Sequence, residues 1–379
     1  MTQQIHNDPI AVFDIGSYKT KIGFANEKVP LKTYESVSGY VKVWTCMCGS
    51  GETPKDYFVG EETYKYHGQY NLRRPVERGI VDIEKYDFEG IVYNNFHNYL
   101  KVDIEKTPSL FTEAVNTTTK IKEKICQIAF ETYNFPLFCL ISQPVLSLLS
   151  TGKSTGFCVE SGHGVTQFVP VYEGSKMQMG VSCLELAGQD VSESIEKIAN
   201  EKGFTYEDII EKVKINDIKE NLCYIAQNYE EEKKKETKEL EKTFKLPDEK
   251  EIKLGAERFE CTEQLFSPEK HGKEMNGIAL QTYDSLMQVN PDVRNELYGN
   301  IVLAGGNTMM PGFVERFKSE FTKFTPESAK ISVTAPKNRD ISAWMGGAMF
   351  ASLTTFESAC VIKENYDETG PSIINRVCP

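Results

Sequence analysis

Ala11-Val12-Phe13-Asp14-Ile15-Gly16-Ser17 is an apolar run that ends in Gly and Ser. It reads as a strand entering a tight turn. Ser17 to Lys21 is polar, and Ile22-Gly23-Phe24-Ala25 resumes an apolar run, so the whole segment predicts a β-hairpin. The same plan returns later in the chain. Gly156-Phe157-Cys158-Val159 predicts a strand, Glu160-Ser161-Gly162-His163-Gly164 the turn, and Val165 to Tyr172 the returning strand. Each copy places an acid at the strand end and Ser with Gly in the turn. Asp14 and Glu160 lie 146 positions apart. Solenoid repeats run roughly 20–50 residues, so this spacing points instead to two halves of similar topology.

A third apolar run, Asn300 to Ala304, meets the pair Gly305-Gly306 and then Asn307-Thr308. Pro311-Gly312 opens a helical pattern with Phe313, Phe317 and Phe321 four residues apart. Lys120 to Tyr133 predicts a helix with Ile121, Ile125, Ile128, Ala129 and Phe130 on one face. Gln143 to Leu149 predicts an apolar helix, with Pro144 tolerated in its first turn. Ile209 to Ala226 predicts another, with Ile218, Leu222 and Ile225 inward. Glu230 to Lys245 carries six acids and six bases and reads as a solvated helix or arm, ended by Pro247-Asp248. Strands mixed with helices define an α/β class.

The Gly/Ser turns have a chemistry of their own. Consecutive backbone N–H groups with no Cβ in the way make a concave site for phosphate oxygens. Two such turns would hold a polyphosphate between two lobes. Asp14 and Glu160 would hold the water shell of the divalent cation that phosphates carry, and Lys21 would offset phosphate charge.

Composition narrows the function classes. The chain has 379 residues, 40% hydrophobic and 26% charged, which is enough for more than one core. Its net charge of −12 argues against nucleic acid as a bulk partner. The N-terminal MTQQIHNDPI does not have the pattern of a signal peptide, and the apolar stretch 135–150 is too short and interrupted to cross a bilayer. Ten scattered cysteines, of which only Cys46 and Cys48 are close, predict free thiols and a reducing compartment. The expected location is cytoplasmic, with the nucleus left open.

These residues, taken in order, carry a resemblance to actin and the actin-related proteins that runs nearly end to end. Asp14 to Ser17 with Lys21 to Ala25 resembles the family's first phosphate loop, and Glu160 to Thr166 its second. Arg74-Pro75-Val76-Glu77-Arg78-Gly79-Ile80 resembles the segment that senses nucleotide state. Phe130 to Pro136 and Gln143 to Leu148 resemble the run into the interdomain hinge. Leu186 to Asp190, Asp217 to Tyr224 and Ala304 to Thr308 resemble the ribose- and adenine-side segments, and Trp344 to Gly347 and Tyr366 to Ile373 the C-terminal region.

The resemblance implies a duplicated RNase H-like core with four subdomains around a central nucleotide cleft. It places the first large subdomain at 1–35, 75–150 and 342–379, and the first inserted one at 36–74. The second large subdomain is then 151–186 with 274–341, and the second inserted one 187–273. It implies ATP or ADP with Mg²⁺ as cofactor. By the same resemblance the nucleotide contacts are Gly16, Ser17, Lys21, Ser161, Gly162, His163, Gly164, Val165, Gly188, Lys219, Glu220, Gly305, Gly306, Asn307 and Met310. Asp14 and Glu160 would organise the metal through water, and Gln143 and Gln167 would position the attacking water.

Departures from the family's pattern set the functional expectation. Glu160 and His163 stand where actin carries aspartates, and Gln167 where it carries histidine. Gln167 can hydrogen-bond water but cannot take its proton. Asn307 replaces a small hydroxyl residue, Met310 an aromatic, Asp340 a lysine and Gln189 an arginine. The mobile loop between Tyr34 and Tyr57 is longer than actin's, and charged Pro268 to Glu274 takes the place of an apolar cross-strand plug. These changes predict a nucleotide-binding subunit of a cytoskeletal or other multiprotein assembly, with slow or absent hydrolysis. Its partners would be other protein subunits, reached through loop 39–49 and a hinge groove near Leu149, and other actin-family chains. The alternatives are a working, filament-forming ATPase and a small-molecule kinase, for which no sugar-kinase motif is present.

Overall fold

The computed structural model describes residues 9–41, 57–65, 70–83, 87–205, 209, 211–246, 249 and 251–378. The chain divides into two units. One comprises 1–150 with 341–379, the other 151–340.

The first unit is built on a six-stranded sheet. Strand Ala11–Ile15 turns back into Lys19–Phe24, which pairs antiparallel with Lys32–Glu35. On its other edge Ala11–Ile15 pairs parallel with Ser109–Glu113, then parallel Leu137–Ser142, and last the short antiparallel strand Val361–Ile362. The Ala11–Ile15 strand is buried on both faces, as its unbroken apolar run requires. Phe13 sits 4.5 Å from Phe111 and 5.1 Å from Phe96, ring centre to ring centre, in an aromatic core that Phe135 and Phe138 extend.

Helix Ser342–Ala351 closes this core against helix Gln143–Leu149. The two run so close that a Cβ on Gly346 would stand 1.8 Å from the Leu146 carbonyl oxygen. Glycine is the residue that permits this approach. Trp344 fills the remaining space, fully buried, and donates its indole N–H to the Val12 carbonyl at 3.1 Å.

The second unit repeats the plan of the first. Strand Gly156–Ser161 turns into antiparallel Thr166–Tyr172, followed by Ser175–Lys176. On its other edge it pairs parallel with Ile301–Ala304, then Val333–Thr334. Both sheets share three antiparallel strands followed by two parallel ones, with the hairpin's first strand between them, and the first sheet adds the antiparallel edge strand Val361–Ile362. The two-halves expectation from the hairpin spacing therefore describes the topology. The match between Phe spacing and burial is direct: Phe313, Phe317 and Phe321 on helix Phe313–Phe324 are all fully buried. Arg316, on the same helix, is also buried. It donates to both carboxylate oxygens of Glu263 at 3.1 and 2.9 Å, so neither charge is left alone.

Three segments differ from the sequence reading. The helix expected over 209–226 is Glu211–Leu222, and Ile225 is buried beyond its end because its N–H bonds the Pro311 carbonyl instead. The expected charged helix or arm over 230–245 is two single turns, Tyr229–Glu232 and Thr237–Leu240, followed by strand Lys242–Lys245. That strand pairs with Glu251–Leu254, whose Ile252 and Leu254 alternate inward while Glu251 and Lys253 point out. The partner strand, rather than local helix propensity, decides the conformation of 242–245. The helix after Thr118 ends in a widened turn, Ile128–Thr132. The Pro247-Asp248 stop and the Cys46/Cys48 pair lie outside the described residues, as does all but the start of the mobile loop.

The eight described cysteines are all free. Among the described residues no helix is long and apolar enough to cross a membrane.

Candidate functional site

Each unit's hairpin carries candidate residues of its own. In the first unit the antiparallel register sets Asp14 opposite Lys21. Facing residues on adjacent strands point to the same side, and Lys21 Nζ meets Asp14 Oδ2 at 2.7 Å. The other carboxylate oxygen accepts from Thr112 Oγ1 at 2.7 Å and from Gln143 Nε2 at 2.9 Å. Asp14 is 2% exposed. Burial pushes its carboxyl pKa up, but the Lys21 charge and the hydrogen bonds from Lys21, Thr112 and Gln143 outweigh it and hold the pKa below the usual value. Asp14 is therefore an anion at neutral pH, fixed by three side chains from three different strands or helices.

The turn itself closes with Gly16 N–H donating to the Lys19 carbonyl at 3.1 Å. Ser17 Oγ accepts from the Gly79 N–H at 3.0 Å. Arg74 reaches the Ser17 carbonyl at 3.5 Å and lies 5.2 Å over the Tyr18 ring. The segment 74–80, singled out by resemblance, thus bonds directly to the first turn. Gln143 begins its helix beside Asp14, also within 3.3 Å of Thr112 Oγ1. Leu149, the last residue of that helix, is half-buried.

In the second unit Glu160 and Gln167 face each other across the hairpin, both buried. The turn closes through Gly162 N–H to the Val165 carbonyl at 3.0 Å. Ser161 Oγ lies 2.8 Å from Thr166 Oγ1 and accepts from Asn307 Nδ2 at 2.8 Å. The start of helix Gly188–Glu201 packs on the same loop: Gly188 N–H donates to the Gly162 carbonyl at 3.1 Å, and Gln189 N–H to the His163 carbonyl at 2.7 Å. Gly305 lies against Ser161 from the third segment, with φ +86°. Its N–H bonds the Arg339 carbonyl, and Arg339 returns bonds to the Thr308 carbonyl and hydroxyl. Burial depresses the Arg339 pKa somewhat. The structure therefore brings Glu160, Ser161 to Val165, Gln167, Gly188, Gly305, Gly306 and Asn307 into one cluster.

The remaining candidates are placed differently. Lys219 is 7% exposed, and its ammonium donates to the Gly188 carbonyl at 3.0 Å, Ser192 Oγ at 2.8 Å and Asn216 Oδ1 at 2.9 Å. It ties helix Glu211–Leu222 to helix Gly188–Glu201. Glu220, next to it, is exposed. Met310 is packed in the second unit's core, whereas Met309 is 40% exposed at the turn. Met309, Thr112 and Arg339 carry no signal in the sequence. An adjacent Met pair gives no periodic sign of which side chain is outside, and the other two act through contacts at long sequence separation.

Backbone openness tests whether these loops suit phosphate. A Cβ at Gly306 would meet nothing within 4 Å, and one at Gly162 only the Val165 carbonyl at 3.7 Å. Gly306 is exposed and Gly162 half-buried. The buried Oδ1 of Asn307 has no hydrogen-bond partner within the protein. Open glycine backbone and a polar atom lacking a partner fit a polar ligand at this cluster. Among the described residues no three carboxylate, imidazole or thiol groups converge as a metal cage.

Two sheets of the same plan, each with a Ser/Gly hairpin and an acid at its first strand's end, define a duplicated α/β protein. The family model for actin matches residues 6–379, and the chain belongs to the actin family.

Proposed function

We propose that the chain binds a Mg²⁺-bound adenine nucleotide, ATP or ADP, and serves as a structural or interaction subunit of a cytoskeletal or other multiprotein assembly. The observation that carries this reading is the pair of matching hairpins, Asp14–Lys21 and Glu160–Gln167, each with open or turn-bonded glycine amides beside a buried acid. The loops 16–18 and 161–165 take the phosphates. Lys21 offsets their charge, and Asp14 and Glu160 orient the metal's water. Gly188, Gly306, Asn307, Lys219 and Glu220 lie on the ribose and base side. Bound Mg²⁺ would neutralise phosphate charge and polarise the γ-phosphoryl group.

Hydrolysis in this reading is slow or absent. Gln143 and Gln167 orient water, but an amide accepts no proton at neutral pH. Gln167→His is expected to raise single-turnover phosphate release by about tenfold or more, a partial recovery of the roughly 10²–10⁴-fold that positioned proton-transfer groups contribute. Wild type already releasing phosphate as fast as the variant would contradict this.

The subunit role rests on the segment replacing the apolar plug. Lys270 and Lys273 are committed inside their own unit: Lys270 Nζ lies 4.3 Å over the Tyr229 ring and 3.4 Å from Glu230, and Lys273 Nζ 2.5 Å from Asp190. Burying this segment against a second protomer would require breaking or desolvating those pairs. Pure protein at tens of micromolar with MgATP and salt is expected to show monomers or short oligomers by negative-stain microscopy. Long two-stranded filaments would favour the alternative, a working filament-forming ATPase.

A further inference from the structure

Lys273 stands in the charged segment 268–274, and its ammonium reaches the Asp190 carboxylate at the start of helix Gly188–Glu201. Asp190 is 4% exposed and uses its two oxygens on two different elements. Oδ2 accepts from the Ala187 N–H at 2.8 Å, which fixes the entry into helix Gly188–Glu201. Oδ1 accepts from Lys273 Nζ at 2.5 Å. The same helix entry carries the two N–H groups, of Gly188 and Gln189, that bond the carbonyls of Gly162 and His163. One continuous path thus runs from Lys273 through Asp190 and residues 187–189 to the turn 161–164, all inside one unit.

The segment holding Lys273 is itself well fixed. Pro268–His271 is a single tight turn closed by Gly272, at φ +72°. Ser267 Oγ donates to Glu263 Oε1 at 3.0 Å, and Lys273 N–H bonds the Pro268 carbonyl at 3.1 Å. Lys273 is thus presented by a rigid turn to a buried carboxylate. A mostly buried carboxylate that lost this cation would lose its charged link to segment 267–274.

We propose that Lys273 is a positioning residue for the second loop: by holding Asp190 it sets the helix entry that supports residues 161–164, and so couples the segment 267–274 to ligand binding there. A partner that engages this segment and draws Lys273 away loosens the loop. The coupling rests on the nucleotide reading only for its effect on ligand binding. The mechanical link is independent of it.

The test uses the full chain, with 1,N⁶-etheno-ATP as the probe and amide hydrogen exchange as a second readout. Lys273→Met is expected to speed etheno-ATP dissociation by about 2- to 30-fold, the range over which mutations along a coupling path act. It should also speed exchange at the amides of Gly162, Gly188 and Gln189, while the unliganded melting temperature stays within a few degrees of wild type. Lys273→Arg should restore both. Lys270→Met, whose partners are Glu230, Glu263 and Tyr229, should leave exchange at Gly162 unchanged. Unaltered exchange at all three amides in Lys273→Met would overturn the proposal. So would an acceleration spread evenly over the unit, which marks general destabilisation. A wild type that binds no etheno-ATP would refute the nucleotide reading, and the exchange readout would still decide the coupling.

Discussion

Ser17→Asp is expected to abolish the stabilisation that MgATP gives the wild-type protein. A ligand at a hundredfold excess over its Kd adds about 2.7 kcal/mol to the folded state. For units of this size that corresponds to a rise in melting temperature of about 5–10 °C. Ser17 is buried at the first turn, with its hydroxyl on the Gly79 N–H at 3.0 Å. An aspartate there adds a second anion to the turn that Asp14 enters, beside the proposed phosphate site, where Lys21 is already paired with Asp14 at 2.7 Å. Like charges at such range, partly shielded from water, cost several kcal/mol. The variant should still melt cooperatively without ligand and show a shift near zero with millimolar MgATP. A wild-type shift in this variant would mean that the first turn does not face the phosphates.

Gly305→Ala is expected to destabilise the second unit by about 3–5 kcal/mol, a drop of about 10 °C in its melting temperature. Two independent causes combine. Gly305 has φ 86° and ψ 150°, a backbone region open almost only to glycine. A Cβ there would lie 2.3 Å from the Ser161 carbonyl oxygen and 2.6 Å from its carbon, both backbone atoms that cannot rotate away. The third segment would have to withdraw from the second loop, taking Asn307 from Ser161. Differential scanning calorimetry of the variant decides this: unchanged melting would show that the two segments do not meet as described.

The parts of the fold that announce themselves in sequence are those whose residues are both apolar and periodic. The run 11–15 is buried throughout, and Phe313, Phe317 and Phe321 mark one helix face whatever lies opposite. The hairpins are legible because Gly and Ser at a strand end have few alternatives to a turn. Segment 230–245 was not legible as a strand-forming region. Its charges satisfy helix and arm patterns equally, and the evidence for pairing sits beyond it, in the alternation of Glu251, Ile252, Lys253 and Leu254.

The candidate site divides the same way. Asp14, Lys21, Glu160 and Gln167 follow from hairpin register, which is local. The groups that hold them do not. Thr112 reaches Asp14 across 98 residues, Asn307 reaches Ser161 across 146, and Lys273 reaches Asp190 across 83. No spacing rule encodes such pairs: the parallel strand order that joins the first two is a property of the whole sheet, and the third joins a turn to a helix start. Charge in segment 268–274 was visible from sequence. That Lys270 and Lys273 find their counter-charges within their own unit required the fold.

The nucleotide content of protein purified in Mg²⁺-containing buffer, measured by acid extraction and chromatography for wild type and Ser17→Asp, decides whether the proposed adenine nucleotide is bound. About one ATP or ADP per wild-type chain is expected, exchangeable for added etheno-ATP, and almost none in the variant. A wild-type protein that carries no nucleotide, gains none from millimolar MgATP and melts at the same temperature with and without it would overturn the nucleotide proposal.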